Sequence, residues 1–183
     1  MGKGILYKLQ KEYPLEVQWV GYELHPETPK EGIWLRDQFP NADLDMMKRN
    51  LNLAGKPYDV VFNKMERSSN TKLALAATEF AREQGKLWEF QDVVYQAYFG
   101  LGEDIGQLDI VLASAQKIGL DVGQLEKALQ EEKYTSILKE SRALGEKYHV
   151  EGIPTFIFEN GKRIFGAERY EIFVKVLKEL SER

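Results

Sequence analysis

Apolar residues recur at helical spacing over most of the chain, and they predict a helix-rich protein. The first stripe begins at Ile5 and predicts an amphipathic helix that starts almost at Met1 and stops before Pro14. Residues 15–20 alternate between apolar and polar and then stay apolar, which is typical of a strand with one buried face. Turn-forming residues at positions 25–29 end this strand.

The middle of the chain is predicted to be almost entirely helical, apart from a short apolar run at residues 58–62. Asn70 and Asp121 are well placed to cap two of the helices, because their side chains accept hydrogen bonds from free backbone N–H groups. The stripes that predict these helices are Leu44, Met47 and Leu51; Leu73, Ala74, Ala77, Phe80 and Ala81; Leu87, Phe90, Val94 and Tyr98; Leu108, Val111, Leu112 and Ala115; Leu125, Ala128 and Leu129; and Tyr134, Ile137, Leu138 and Leu144.

The end of the chain returns to a strand pattern before a last helix. Residues 156–158 and 163–165 are short runs rich in apolar residues, and Asn160-Gly161 between them is a strong hairpin signal. Apolar residues from position 172 onwards then recur with helical spacing. Strand, tight turn, strand and helix follow one another here as they do in the C-terminal half of a thioredoxin fold.

Composition and charge exclude several classes of function. The 183 residues carry 25 basic and 29 acidic side chains, a formal net charge of −4 without long runs of one sign, so we expect no nucleic-acid partner. No apolar stretch is long enough to span a membrane, and no secretory signal is apparent, so we expect a cytoplasmic protein. The absence of cysteine excludes disulfides, thiolate metal sites and cysteine nucleophiles. The two histidines, His25 and His149, form no metal-spaced pattern, and we expect neither a metal nor a cofactor.

The clearest candidate for binding chemistry is the sequence from Gly152 to Phe156, with an isoleucine-proline step in its centre. Such steps are usually trans, because only about 5–6% of X-Pro bonds in folded proteins are cis. In a thioredoxin-like fold, however, the residue before a cis-proline presents backbone N–H and C=O groups to an extended thiol or peptide substrate. We therefore predict substrate binding at Gly152, Ile153, Pro154 and Thr155, and no catalytic residue in this chain.

The whole chain resembles the DsbA-like superfamily, in which a helical domain is inserted between the two halves of a thioredoxin fold. Its motifs are most similar to those of the FrnE-type branch of thiol-disulfide oxidoreductases. The stretches that carry this resemblance are residues 21–29, 70–71 with 81–85, 119–121 and 152–156.

The resemblance implies an α/β fold with a thioredoxin-like domain at residues 1–40 and 148–183 and a helical insertion at residues 41–147. Members of the family usually carry a strand ending in CxxC, then an aromatic residue, an aliphatic one and Gly-Lys. Met1-Gly2-Lys3 falls just after the place where that cysteine pair would lie. We therefore expect the first strand to be absent and the chain to be truncated at its N-terminus and inactive in dithiol exchange.

Removing that strand exposes the backbone edges of the two strands beside it, which is costly unless they find partners. We expect these strands to close up, or a second molecule to supply an edge, so a homodimer is among the expected assemblies. The predicted substrate contains a thiol or a peptide.

Two other functions stay open. The architecture is shared by the 2-hydroxychromene-2-carboxylate isomerases and kappa-class transferases, which are linked to glutathione and use a serine near the N-terminal position that is missing here. The third candidate is a peptide-binding module that kept the Pro154 loop and lost catalysis.

Overall fold

The computed structural model describes residues 1–181, which form nine α-helices and four short strands. The helices are α1 (Gly2–Glu12), α2 (Leu35–Gln38), α3 (Leu44–Gly55), α4 (Lys72–Glu83), α5 (Leu87–Tyr95), α6 (Leu108–Lys117), α7 (Val122–Gln130), α8 (Thr135–Lys147) and α9 (Tyr170–Ser181). The strands are β1 (Ile33–Trp34), β2 (Arg67–Ser68), β3 (Thr155–Ile157) and β4 (Arg163–Phe165). A 3₁₀ turn at Lys56–Tyr58 follows α3, and a π-helical turn at Gln96–Leu101 follows α5. The predicted helices are therefore confirmed.

In the part of the chain described here, no helix combines the length and the apolar character needed to cross a membrane.

The predicted hairpin is confirmed at β3 and β4. The two strands pair in antiparallel fashion, with Phe156 opposite Ile164. Asn160 accepts a hydrogen bond from the backbone of Lys162, and Gly161 has a φ of +78°, a left-handed conformation that glycine adopts without a steric penalty. A second, smaller antiparallel pair joins β1 to β2.

Two groups of buried apolar residues hold the fold together. The larger one lies among helices α4 to α8 and consists of Ala74, Ala77, Phe80, Ala81, Phe90, Val94, Ala97, Ile105, Val111, Ala115, Leu120, Leu125, Ala128, Leu129 and Tyr134. The smaller one joins α1 to the hairpin and α9 and consists of Ile5, Leu9, Ile164, Phe173 and Val176. The larger group lies inside residues 41–147 and the smaller one outside them, although the domain boundaries themselves stay a prediction.

The expected strand at residues 15–20 is wrong, because residues 14–23 pair with no strand in the described structure. The closing of this segment onto β3 is also not observed. Burial still alternates along residues 13–19, as in an extended chain with one face inward. Side chains of α4 hold the segment instead, since Arg82 donates a hydrogen bond of 2.7 Å to the carbonyl oxygen of Trp19 and lies over its ring. A strand needs a hydrogen-bonded neighbour as well as the right alternation, and only the alternation is present here.

Candidate functional site

Residues 152–155 form a loop that hydrogen bonds fix at two points. The Thr155 hydroxyl donates a hydrogen bond of 2.7 Å to the carbonyl oxygen of Gly152. The backbone N–H of Gly166 donates one of 2.7 Å to the carbonyl oxygen of Pro154. The peptide bond between Ile153 and Pro154 is cis, and Ile153 is 58% exposed. The loop therefore presents one large apolar residue on a backbone that is tied to the hairpin.

The N-terminal end of α1 packs directly against this loop. A Cβ atom at Gly2 would lie 2.7 Å from Cγ of Pro154 and 3.4 Å from Cζ of Phe156, so only glycine allows this approach. The free N–H groups and the dipole of a helix give its N-terminal end a partial positive charge. The loop thus lies beside the end of α1 that favours negative charge.

Lys3 joins this end of α1 to the helical part of the protein. Its ammonium group donates hydrogen bonds of 2.7 Å to the carbonyl oxygen of Trp88 and 2.6 Å to the Asp92 carboxylate. The side chain of Lys3 is only 12% exposed. Burial lowers the pKa of Lys3 below its ordinary value, and its interactions with Asp92 offset part of that decrease.

Tyr7 lies one helical turn further along and completes this contact between α1 and α5. Its ring meets that of Trp88 edge to face, with centroids 6.0 Å apart. Burial and then the negative charge of Asp92 raise the pKa of Tyr7 to about 12. This contact fixes the direction of α1 relative to α5. It thereby also fixes the position of Gly2 against the loop at residues 152–155.

The outer edge of β3 has no strand partner within residues 1–181. The Pro154 carbonyl and the Phe158 N–H both bond to the β4 side of the hairpin. Because successive residues of a strand direct their backbone groups to opposite sides, those of Thr155 and Ile157 point away from β4. The loop and the strand after it therefore offer one continuous backbone edge to an extended partner.

The sequence predicted the loop but not its surroundings. The four predicted residues, Gly152 to Thr155, form one loop, and Pro154 in that loop lies against Gly2 at the N-terminal end of α1. The contact of Lys3 with α5 could not be found from the sequence, because its partners lie 85 and 89 positions away. Over the described 181 residues, no group of three or more histidine, aspartate or glutamate side chains is arranged to hold a metal ion.

Comparison with known proteins gives a family and two similar folds. A family model described as a DSBA-like thioredoxin domain matches residues 1–178. The uncharacterized protein YwbO of Bacillus subtilis (strain 168) is 26% identical over 191 aligned positions, which cover 98% of this chain and 89% of that protein.

Two solved structures resemble this one in fold. The crystal structure of a probable DsbA oxidoreductase from Streptomyces coelicolor has a TM-score of 0.87 at 19% identity, and the matched region covers all of this chain and 84% of that chain. The structure of a 2-hydroxychromene-2-carboxylate isomerase has a TM-score of 0.73 at 18% identity, and the matched region covers 97% of this chain and 87% of that chain. At these identities the likeness shows the fold alone. It agrees with the predicted α/β thioredoxin-like fold.

Proposed function

This chain belongs to the DSBA-like thioredoxin domain family, and from that premise we propose that it is the substrate-docking part of a thiol-disulfide oxidoreductase of the FrnE type. The observation that carries this proposal is the loop at residues 152–155, which is hydrogen-bonded at two points and exposes Ile153 beside the end of α1. An extended peptide or thiol substrate pairs with the backbone edge that continues from this loop along β3.

The chemistry that belongs to such a loop is disulfide exchange. A thiolate at a helix N-terminus has a lowered pKa and attacks one sulfur of the substrate disulfide, so that the other sulfur leaves as a thiolate. A second thiol then attacks the mixed disulfide, which leaves the substrate reduced and the dithiol oxidised. Since this chain contains no cysteine, we propose that it does not carry out either step by itself.

We further propose that the dithiol is encoded upstream of Met1, in a strand that leads into α1. Two features of the described residues support this. The loop and the start of α1 meet at Pro154 and Gly2, and both β3 and residues 14–23 have an edge without a strand partner. Translation of the genomic frame upstream of Met1 tests the proposal, and a stop codon before any CxxC would contradict it.

An insulin-reduction assay distinguishes a chain that only binds the substrate from one that also catalyses disulfide exchange. We expect an upstream-extended protein with CxxC to catalyse insulin reduction by dithiothreitol. We expect the cysteine-free chain, and an extended control with both cysteines changed to serine, to stay at the background rate. Turnover by the cysteine-free chain would contradict the proposal. An extended protein that binds peptide at the loop but never catalyses exchange would instead be a peptide-binding module.

A further inference from the structure

The second strand of the hairpin, β4, has one side that pairs with no other strand within residues 1–181. The Gly166 N–H donates its hydrogen bond to the carbonyl oxygen of Pro154 across the hairpin. Bonded and non-bonded residue pairs alternate along an antiparallel ladder, so the N–H and C=O groups of Arg163 and Phe165 point away from β3. We call these four backbone groups the outer edge of β4.

Open space lies beside both ends of this edge. A Cβ atom added at Gly161 or at Gly166 would find no atom within 4 Å beyond the neighbouring residues of the chain. Phe165, between them, is 49% exposed, although it is a large apolar residue. The backbone of a second chain can therefore approach the outer edge of β4 without displacing a side chain at either glycine.

The cations near this edge already have partners in their own chain. Edge strands are often protected from pairing by a lysine whose charge an incoming strand would have to bury. Here Lys162 pairs with Glu179, and Arg163 donates a hydrogen bond to the carbonyl oxygen of Tyr148. The Arg163 guanidinium also lies over the ring of Phe165, 5.6 Å from its centroid. An incoming strand would therefore meet no unpaired lysine at β4.

We propose that the outer edge of β4 pairs with the same edge of a second copy of this chain, in antiparallel orientation. A two-fold axis beside Ile164 makes the contact self-complementary, as an interface between identical chains requires. Arg163 and the partner's Phe165 then exchange two hydrogen bonds, and Phe165 and the partner's Arg163 exchange two more. The two hairpins form one sheet of four strands.

The side chains of β4 favour a second copy in this orientation. Ile164 is buried in the smaller apolar group, so its neighbours Arg163 and Phe165 lie on the opposite face of the hairpin. In the antiparallel dimer Arg163 lies directly opposite the partner's Phe165, where a guanidinium can stack on the ring, and this contact occurs twice. Parallel pairing in the same register would place Arg163 opposite the partner's Arg163. Lys162 meets the partner's Gly166, which has no side chain to obstruct it.

The length of the edge indicates a weak dimer. Three strand residues span only about 10 Å, so we expect the buried area to lie at the low end of specific interfaces, below roughly 1,200 Å². Association should therefore depend on concentration. The outer edge of β4 lies on the other side of the hairpin from the outer edge of β3, so this interface does not depend on the proposed function.

Sedimentation equilibrium of the full chain tests the proposal. The weight-average mass should rise from that of the 21.1 kDa monomer at low micromolar concentration towards that of a dimer near millimolar concentration. Phe165→Pro removes an N–H group that points away from β3, so the hairpin keeps its own hydrogen bonds while the edge loses a donor. Since the loss occurs twice in the dimer, we expect association to weaken by about tenfold or more.

Ile157→Pro is the matched control. The N–H group of Ile157 points away from β4, so the same substitution changes the other edge of the same hairpin. This variant should associate like the wild type. Circular dichroism verifies that both proline variants are folded.

An exchange of side chains tests the antiparallel register itself. Phe165→Arg should weaken association, because it places two arginines opposite each other twice. Adding Arg163→Phe should restore it, since each arginine again lies opposite a phenylalanine. A wild type that stays monomeric near millimolar concentration would overturn the proposal. So would a dimer that Phe165→Pro leaves unchanged, one that Ile157→Pro weakens equally, or a double variant that associates no better than Phe165→Arg alone.

Discussion

Gly145→Ala probes how residues 14–23 are held without a strand partner. Gly145 is buried in α8, and a Cβ atom there would overlap the ring of Tyr22, with Cζ 2.8 Å and Cδ2 2.9 Å away. Carbon atoms in contact prefer a separation of about 3.5–4.0 Å. Either the Tyr22 ring or α8 must therefore move by most of an ångström, and residues 14–23 must move with it.

The size of the effect follows from two opposing contributions. Overpacking of this kind costs about 1–3 kcal/mol, whereas alanine favours a helix over glycine by about 1 kcal/mol. Gly123→Ala in α7 is the matched control, because the nearest atom to its Cβ is an Asp121 oxygen at an ordinary 3.5 Å. Since the helix preference is shared, the difference in the free energy of unfolding between the two variants isolates the overlap. We expect Gly145→Ala to be less stable than Gly123→Ala by about 1–3 kcal/mol.

Urea unfolding followed by circular dichroism measures this difference. Thermal unfolding should show it too, as a melting temperature lower by about 2–4 °C for each kcal/mol in a protein of this size. Replacing Tyr22 with leucine removes the ring, so Gly145→Ala should cost much less in that background. Equal stabilities for Gly145→Ala and Gly123→Ala would refute the packing described for residues 14–23.

Three further predictions concern single side chains. Lys3→Met loses the charged hydrogen bonds to α5 and should destabilise the protein by about 1.5–3 kcal/mol in urea unfolding, whereas an unchanged midpoint would contradict a role for this contact. Asp121→Ala removes the side chain that accepts a 2.9 Å hydrogen bond from Gln124 N–H and should cost about 1 kcal/mol, while Asp109→Ala, which caps no helix, should cost less. Folding raises the pKa of Tyr7 from 10.0 to about 12. The protonated phenol of Tyr7 therefore contributes its full share to the free energy of unfolding below pH 10, and this share is lost as the pH rises towards 12. In a spectrophotometric titration of the tyrosines, Tyr7→Phe should therefore remove one phenol that ionises near pH 12. Loss of a phenol that ionises near pH 10 would contradict the raised pKa of Tyr7.

The helices could be predicted because their apolar stripes and caps are local signals. Asp121 accepts the hydrogen bond expected of a cap, and Asn70 accepts one of 3.0 Å from Lys72 N–H at the start of α4. The loop at residues 152–155 could be placed because it precedes a hairpin whose turn residues are also local. Its function stays a prediction, since no binding partner is visible in its own residues.

Features that depend on distant partners could not be predicted. Residues 15–20 have the alternation of a strand, but pairing depends on a neighbour that the described chain does not provide. The stripe of Leu44, Met47 and Leu51 predicted the helix α3 but not which of its side chains are buried. In the structure Leu44 and Leu51 turn inward while Met47 is 39% exposed, because position 47 lies at the border between the two sides of the helix. Spacing alone could not decide to which side it belongs.

The docking role of residues 152–155 is tested most directly by nuclear magnetic resonance. The ¹⁵N-labelled chain is titrated with insulin B chain whose cysteines are alkylated, so that binding is observed without sulfur chemistry. The account predicts saturable shifts of the amide signals of Gly152, Ile153 and Thr155, with Gly85 and Gly123 unchanged as references. Saturable shifts that leave the loop unaffected, or no saturable shift at all, would contradict it.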